Sequence, residues 1–140
     1  MKSKLFNLFK VPATIAILFF SFSAIGQTSD WLAPKDADNI MNPFQNDLSA
    51  LKKGKKIYGQ MCWTCHGEFG KGDGPAGKTL NPKPANHTGE AVQSQTDGAI
   101  FWKLSNGKGV MPAYGKILTK TERWQLVSYI RELGGKNKTN

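Results

Sequence analysis

The chain has 140 residues, and its composition excludes several classes of protein. Aromatic residues make up 11% of the chain, which excludes a collagen-like or disordered polypeptide. The chain has 2 cysteines, Cys62 and Cys65, and their closeness excludes a disulfide scaffold. The 19 lysines and arginines outnumber the 10 acidic residues, so the formal net charge is +9. The sequence therefore predicts one small basic domain.

The N-terminal prefix, residues 1–26, is typical of a secretory signal peptide. Three lysines precede an apolar run at residues 11–25, and the small residues Ala24 and Gly26 close it. Cleavage after Gly26 would leave 114 residues with 16 basic and 10 acidic side chains, a net charge of +6, in the periplasm. The alternative is an uncleaved membrane anchor, although the run has about 15 residues where a spanning helix needs roughly 20.

Residues 27–46 are predicted to form an extended N-terminal arm. The segment contains Pro34 and Pro43 and shows no helical period. Its apolar side chains indicate that it lies against the domain; they are Trp31, Ile40, Met41 and Phe44. A floppy linker is the alternative.

A helix is predicted after Asp47, whose side chain can cap it. Residues at helical spacing form its apolar stripe: Leu51, Gly54, Tyr58 and Met61. A glycine inside a helix costs about 1 kcal/mol relative to alanine, so Gly54 indicates a point where another helix crosses closely. The alternative is that Gly54 ends the helix.

The next segment, residues 67–90, is rich in glycine and proline and is predicted to be a long loop. A second helix is expected over residues 97–104, with Thr96 as its cap and Gly107 just beyond its end. Its apolar stripe is Ile100, Phe101 and Leu104.

The last helix has the clearest signal. Thr119 and Glu122 form a capping box at its start, and residues 134–135, both glycine, end it. Its apolar residues recur at helical spacing: Trp124, Leu126, Val127, Ile130 and Leu133. A polar tail follows at residues 136–140. The sequence shows no strand pattern, so we predict an all-α domain over residues 47–135.

Residues 62–66 read Cys-Trp-Thr-Cys-His, the signal for covalent attachment of a c-type haem. One helical turn can present the sulfurs of Cys62 and Cys65 to the two vinyl groups on one porphyrin edge. The next residue, His66, then directs its imidazole at the iron as the proximal ligand. A porphyrin held in this way would also order the loop at residues 67–90, which would wrap around it.

Other interpretations of the motif are a zinc site, a redox dithiol and a chance occurrence. A structural zinc site needs four ligands, and the available candidates are Cys62, Cys65, His66 and His87. Redox dithiols lie on a strand-to-helix turn of an α/β fold, whereas this chain has no strand pattern. Haem attachment is therefore the favoured interpretation.

Met111 is the candidate for the sixth iron ligand. It lies in a loop after a helix, beside Pro112, and a thioether opposite a histidine raises the reduction potential and suits electron transfer. Alternatively, Met111 fills a gap in the core. His87 is the rival ligand, although its neighbours indicate a solvated loop. Met61 is expected to pack in the core, and Met41 lies in the arm.

The chain resembles the class I monohaem cytochromes c of bacteria over about residues 50–134. The shared features are Gly54 and Tyr58, the attachment motif, Gly72-Asp73-Gly74-Pro75, Asn106-Gly107 through Met111-Pro112-Ala113, Trp124 and Tyr129. The arm also resembles a segment that precedes some such domains. The resemblance implies a small cytochrome c fold, with three to four short helices and long loops around one haem c. It also implies that the last helix crosses at Gly54 and that the carbonyl of Pro75 accepts the N–H of His66.

Lysines near the expected haem predict a basic rim; they are Lys52, Lys53, Lys55, Lys56, Lys71, Lys78, Lys103, Lys108 and Lys116. Such a rim would steer the protein to an acidic surface on a redox partner, although ordinary solubilising charge is the alternative. No nucleic-acid recognition module is evident.

The expected function is that of a monomeric one-electron carrier without substrate turnover. It would pass electrons between exported or membrane redox complexes, such as an oxidoreductase or a terminal oxidase. The alternatives are a haem subunit of a larger oxidoreductase complex, and a haem enzyme or ligand sensor with an open sixth site.

Overall fold

The computed structural model describes residues 31–135, which form short helices joined by long loops. The five α-helices are α1 (Leu48–Met61), α2 (Trp63–His66), α3 (Glu90–Gln93), α4 (Asp97–Asn106) and α5 (Lys120–Leu133). Three short 3-10 helices also occur: Lys35–Asn39, Pro75–Gly77 and Tyr114–Lys116. Within residues 31–135 the one β pairing is an isolated bridge between Lys108 and Met111. The predicted all-α class is confirmed.

The expected signal peptide and polar tail, residues 1–26 and 136–140, lie outside the described residues. Between residues 31 and 135 no helix combines the length and apolar character that a membrane crossing requires.

Helix α1 begins where the sequence predicts, and it crosses α5, the last helix, as the family resemblance implies. The carboxylate of Asp47 accepts hydrogen bonds from the backbone N–H groups of Ser49 and Ala50, at 2.7 and 3.0 Å. The helix continues through Gly54 without a break and passes directly over α5. An ideal Cβ on Gly54 would lie 1.9 Å from the carbonyl oxygen of Gln125. The glycine therefore allows the two backbones to touch.

The core lies between α1, α4 and α5. Its buried side chains are Ile57, Tyr58, Cys62, Ile100, Phe101, Leu104, Trp124, Leu126, Val127, Tyr129 and Ile130. The predicted stripes of α4 and α5 are confirmed. The stripe of α1 differs at its end, because Met61 is 42% exposed and the buried position falls to Cys62 instead. The expected core packing of Met61 is therefore wrong.

The arm lies on the domain, as predicted, and a floppy linker is excluded for residues 31–46. The Nδ2 of Asn42 donates to Asp97 Oδ2 at 2.9 Å and to Ser128 Oγ at 3.3 Å. Asp97 Oδ1 in turn pairs with Arg131 Nε at 2.6 Å. An ideal Cβ on Gly98 would meet the carbonyl oxygen of Ala37 at 1.9 Å, so the arm backbone lies directly on α4. We call this contact, from Asn42 to Asp97 and Arg131, the arm clasp.

Two details of the arm differ from the prediction. It is not extended throughout, because Lys35–Asn39 form a 3-10 helix directly after Pro34. Of the apolar side chains predicted to hold it, Phe44 packs against the core, but Ile40 and Met41 are 43% and 77% exposed.

The ends of α4 and α5 follow local signals. Thr96 Oγ1 accepts the N–H of Ala99 at 3.1 Å, and α4 runs two residues beyond the predicted end before Gly107 takes a φ of 63°. Both hydrogen bonds of the capping box between Thr119 and Glu122 are formed. The four-residue helix α3 was not predicted, since the sequence before it indicates only loop.

Candidate cofactor site

The attachment motif folds as the single turn that its chemistry requires. Cys62 ends α1 with its N–H on the carbonyl of Tyr58, 2.9 Å away, and begins α2. The N–H groups of Cys65 and His66 then both point to the carbonyl of Cys62, at 3.2 and 2.9 Å. Cys62 and Cys65 are not joined in a disulfide, and burial raises the pKa of the Cys62 thiol to about 12. Both sulfurs and the imidazole thus originate from one helical turn.

Glycines let the following loop lie against this turn. The N–H of Gly72 donates to the carbonyl of His66 at 2.8 Å, and that of Gly74 donates to the carbonyl of Cys65 at 3.1 Å. An ideal Cβ on Gly74 would come within 2.6 Å of the Trp63 carbonyl oxygen, and one on Gly77 would be 2.5 Å from that of Cys65. The loop at residues 67–90 is therefore ordered by backbone contacts with the attachment turn as well as by any porphyrin.

One ring nitrogen of His66 is available as a metal ligand. Its Nδ1 lies 2.9 Å from the carbonyl oxygen of Ala85. A carbonyl can only accept, so Nδ1 carries the proton and Nε2 keeps its lone pair. Burial lowers the pKa of His66 more than this hydrogen bond raises it, which favours the neutral ring that a metal ligand needs. The donor set therefore fits a haem iron.

The carbonyl partner of His66 differs from the one that the resemblance implies. It belongs to Ala85, whereas Pro75 was expected. Pro75 instead begins the short 3-10 helix Pro75–Gly77. At the end of that helix, Gly77 lies against the backbone carbonyl of Cys65. The carbonyl that bonds the imidazole is therefore supplied later in the same loop, at Ala85.

His87 is buried, and the expected solvated loop at this position is wrong. The residue is 7% exposed, and its ring stacks on that of His66 with centroids 4.1 Å apart and an interplanar angle of 18°. Two imidazoles that ligate one iron from opposite faces need centroids roughly 6 Å apart, given metal–nitrogen bonds of about 2 Å. This face-to-face arrangement is thus unsuitable for ligation by both histidines.

The segment that carries Met111 is held close to the attachment turn. Lys108 and Met111 exchange backbone hydrogen bonds at 3.0 and 3.1 Å, and the Met111 side chain packs partly buried against the core. Tyr114 Oη donates to the carbonyl of Met61 at 3.0 Å. Burial raises the pKa of Tyr114 to about 12, and the nearby thiols of Cys62 and Cys65 contribute. The hydroxyl therefore remains a donor and holds this loop to the end of α1.

The structure adds three groups that the sequence analysis missed. They are the Ala85 carbonyl, the Tyr114 hydroxyl and the Tyr58 hydroxyl, which donates to the Gly67 carbonyl at 2.9 Å. A backbone carbonyl has no sequence signal, while the tyrosines could have been suspected from their place beside the motif and the methionine loop. Within residues 31–135 no three Cys, His, Asp or Glu side chains are grouped so that they could hold a metal ion.

An all-α domain whose helix α1 leads directly into a Cys-x-x-Cys-His turn with a free histidine nitrogen is typical of a cytochrome c. The family model for "Cytochrome C oxidase, cbb3-type, subunit III" matches residues 49–130. The chain belongs to this family and is a class I cytochrome c.

Two curated relatives and one solved structure illustrate the range of the family. The chain is 30% identical to the cbb3-type cytochrome c oxidase subunit CcoP of Azospirillum brasilense over 79% of its own length and 36% of that protein. It is 31% identical to cytochrome c6 of Gloeothece citriformis over 84% of its length and 86% of that protein. A chain of the reducing HAO-like protein complex of Kuenenia stuttgartiensis superposes with a TM-score of 0.57 at 30% identity, over 65% of this chain and 46% of that one. The chain thus spans about a third of subunit CcoP but most of cytochrome c6.

Proposed function

We propose that this protein carries single electrons by means of one c-type haem bound through Cys62 and Cys65. The observation that carries the proposal is the attachment turn, where one helical turn carries Cys62, Cys65 and His66 and the Ala85 carbonyl leaves Nε2 of that ring free. When bound, such a haem supplies a one-electron Fe(III)/Fe(II) couple. Cys62 and Cys65 would hold it, and the Ala85 carbonyl would orient the imidazole of His66. We propose no substrate turnover.

Met111 is proposed as the second axial ligand. Met111 belongs to a loop that Tyr114 anchors to Met61 at the end of α1, and the Met111 side chain packs against the core that contains Cys62. Gly107 lets the backbone of the Met111 loop fold back closely on itself, because an ideal Cβ at position 107 would lie 2.6 Å from the carbonyl carbon of Pro112. A sulfur ligand opposite histidine favours Fe(II) and keeps small molecules off the iron.

Replacing Met111 with alanine should open the iron to exogenous ligands. Cyanide and CO should bind readily to M111A, and the reduction potential should fall by on the order of 100 mV or more, since axial ligands set haem potentials over roughly 0.8 V. Optical titration and potentiometry measure both effects. The matched control is M61A: Met61 adjoins the attachment turn but is 42% exposed, so its loss should leave both quantities unchanged. Rapid, complete CO binding by the unaltered protein would show an open sixth site and favour the enzyme or sensor alternative.

A haem subunit of a larger oxidoreductase complex is the second candidate. Its support is the family match to an oxidase subunit and the likeness to CcoP, of which this chain spans about a third. A free carrier should elute as a monomer from the native host, whereas a subunit should copurify with its complex. In either case we propose that the exposed lysines, chiefly Lys52, Lys53, Lys55 and Lys56 along α1, steer the protein to an acidic surface of a membrane redox complex.

We propose that the protein is exported, with residues 1–26 as a signal peptide, residues 27–46 as the arm and residues 47–135 as the haem-carrying region. The intact mass of protein from the native host should correspond to a chain that begins at Gln27 plus one haem. The small residues Ala24 and Gly26 set that cleavage point. A mass that includes the first 26 residues would support the membrane anchor instead.

A further inference from the structure

We propose that His87 is a positioning residue, whose imidazole lies flat on that of His66 and sets the plane of the proximal ligand. The two ring centroids are 4.1 Å apart, and their planes are inclined by 18°. The inference rests on the proposed haem site, because it matters only where His66 binds the iron.

The His66 ring needs such a contact because its hydrogen bond does not fix its plane. The bond from Nδ1 to the Ala85 carbonyl and the proposed iron bond at Nε2 lie at opposite edges of the ring. Both restrain the ring along the line that joins the two nitrogens, and both resist rotation of the plane about that line only weakly. A flat ring packed against one face opposes that rotation directly, because tilting one ring would force atoms of the two rings into steric overlap.

His87 is itself held firmly enough to serve as a reference surface. Its N–H donates to the carbonyl of Gly70, and its own carbonyl accepts from Gln93 Nε2, both at 2.6 Å. The ring of Tyr58 meets it edge to face, with centroids 5.8 Å apart. Gln93 also donates to the carbonyl of Ile130 on α5, at 2.9 Å. The position of His87 is therefore tied to the α1–α5 pair rather than to a free loop.

The contact depends on the shape of the His87 ring. Its Nδ1 is buried and has no hydrogen-bond partner among the described residues. That atom therefore contributes nothing to the interaction by hydrogen bonding, and a flat apolar ring should serve equally well. Phenylalanine should retain the contact, while leucine would fill similar space without a flat face.

The test compares H87F, H87L and H87A as full-length ferric proteins with haem attached. Hyperfine-shifted haem-methyl proton resonances and electron paramagnetic g values report the orientation of the axial imidazole plane. We expect H87F to keep the order and spread of the wild-type resonances, and H87L and H87A to displace both. The matched control is N42A, which removes the buried contacts of Asn42 with Asp97 and Ser128 and touches neither histidine.

Several results would overturn the inference. They are H87A resonances identical to the wild type, H87F displaced as far as H87L, or N42A displaced like H87A, which would assign the effect to general loosening. If H87A does not accumulate, the comparison of H87F with H87L decides alone. Wild-type protein without covalent haem would contradict the proposed function, and this failure is distinct because it is read from the attachment and not from the ring orientation.

Discussion

Protein in which alanine replaces both Cys62 and Cys65 should carry no covalent haem and should accumulate poorly in folded form. Cys62 is 6% exposed within the core, but loss of one buried sulfur costs only about 1 kcal/mol. A larger loss of folded protein would therefore be due to the missing porphyrin, whose apolar surface should complete the core beside α2 and the Met111 loop.

Extraction in acid and organic solvent, followed by a haem stain of the denatured polypeptide, measures this effect. The matched control is T64A, since Thr64 lies between the two cysteines, is exposed and has no part in attachment. It should keep its haem through extraction. Haem that leaves the unaltered chain freely under these conditions would refute thioether attachment and, with it, the proposed function.

Gly54→Ala should destabilise the fold by about 3 kcal/mol or more, whereas Gly59→Ala should have a neutral or slightly stabilising effect. The new methyl group at position 54 would lie 1.9 Å from the carbonyl oxygen of Gln125 and 3.1 Å from the Cβ of Tyr129, so α1 and α5 must separate. At Gly59, on the same helix, an ideal Cβ meets nothing within 4 Å, and alanine gains up to about 1 kcal/mol in helix propensity.

Denaturant unfolding of the two haem-loaded variants, followed in the far ultraviolet, gives the comparison. The pair is well matched because both changes are glycine to alanine in one helix and differ only in what faces the new methyl group. Equal stabilities for G54A and G59A would show that the two helices do not touch at this point.

Local signals account for most of what the sequence predicted correctly. The capping residues Asp47, Thr96 and Thr119 bond to backbone groups within three residues of themselves, so these hydrogen bonds can be predicted from the adjacent sequence. Gly54 was interpretable because a costly residue in a strong helix needs a nearby backbone to explain it. The attachment turn is equally local, since Cys62, Cys65 and His66 fall within one turn of helix.

Two of the errors come from the loop at residues 67–90, where contacts depend on the tertiary path of the chain. Pro75 and Ala85 are ten positions apart with no periodic pattern between them, so the sequence does not say which carbonyl reaches His66. The polar neighbours of His87 in the sequence indicated an exposed side chain. Its ring is instead buried against the rings of Tyr58 and His66, which are distant from it in the sequence. Met61 was misplaced because α1 ends there, and the next residue takes the inward position.

The arm clasp limits where the chain can be truncated without loosening the fold. A recombinant fragment that starts near residue 49, where the family match begins, would lack Asn42 and would uncover the Asp97–Arg131 pair, whose side chains are 16% and 9% exposed in the intact fold. It would also bare the groove over Gly98 that the backbone of Ala37 fills. Melting temperatures or electrode potentials recorded on such a fragment would therefore describe a loosened α4–α5 face, and cloning boundaries for this chain belong before Trp31.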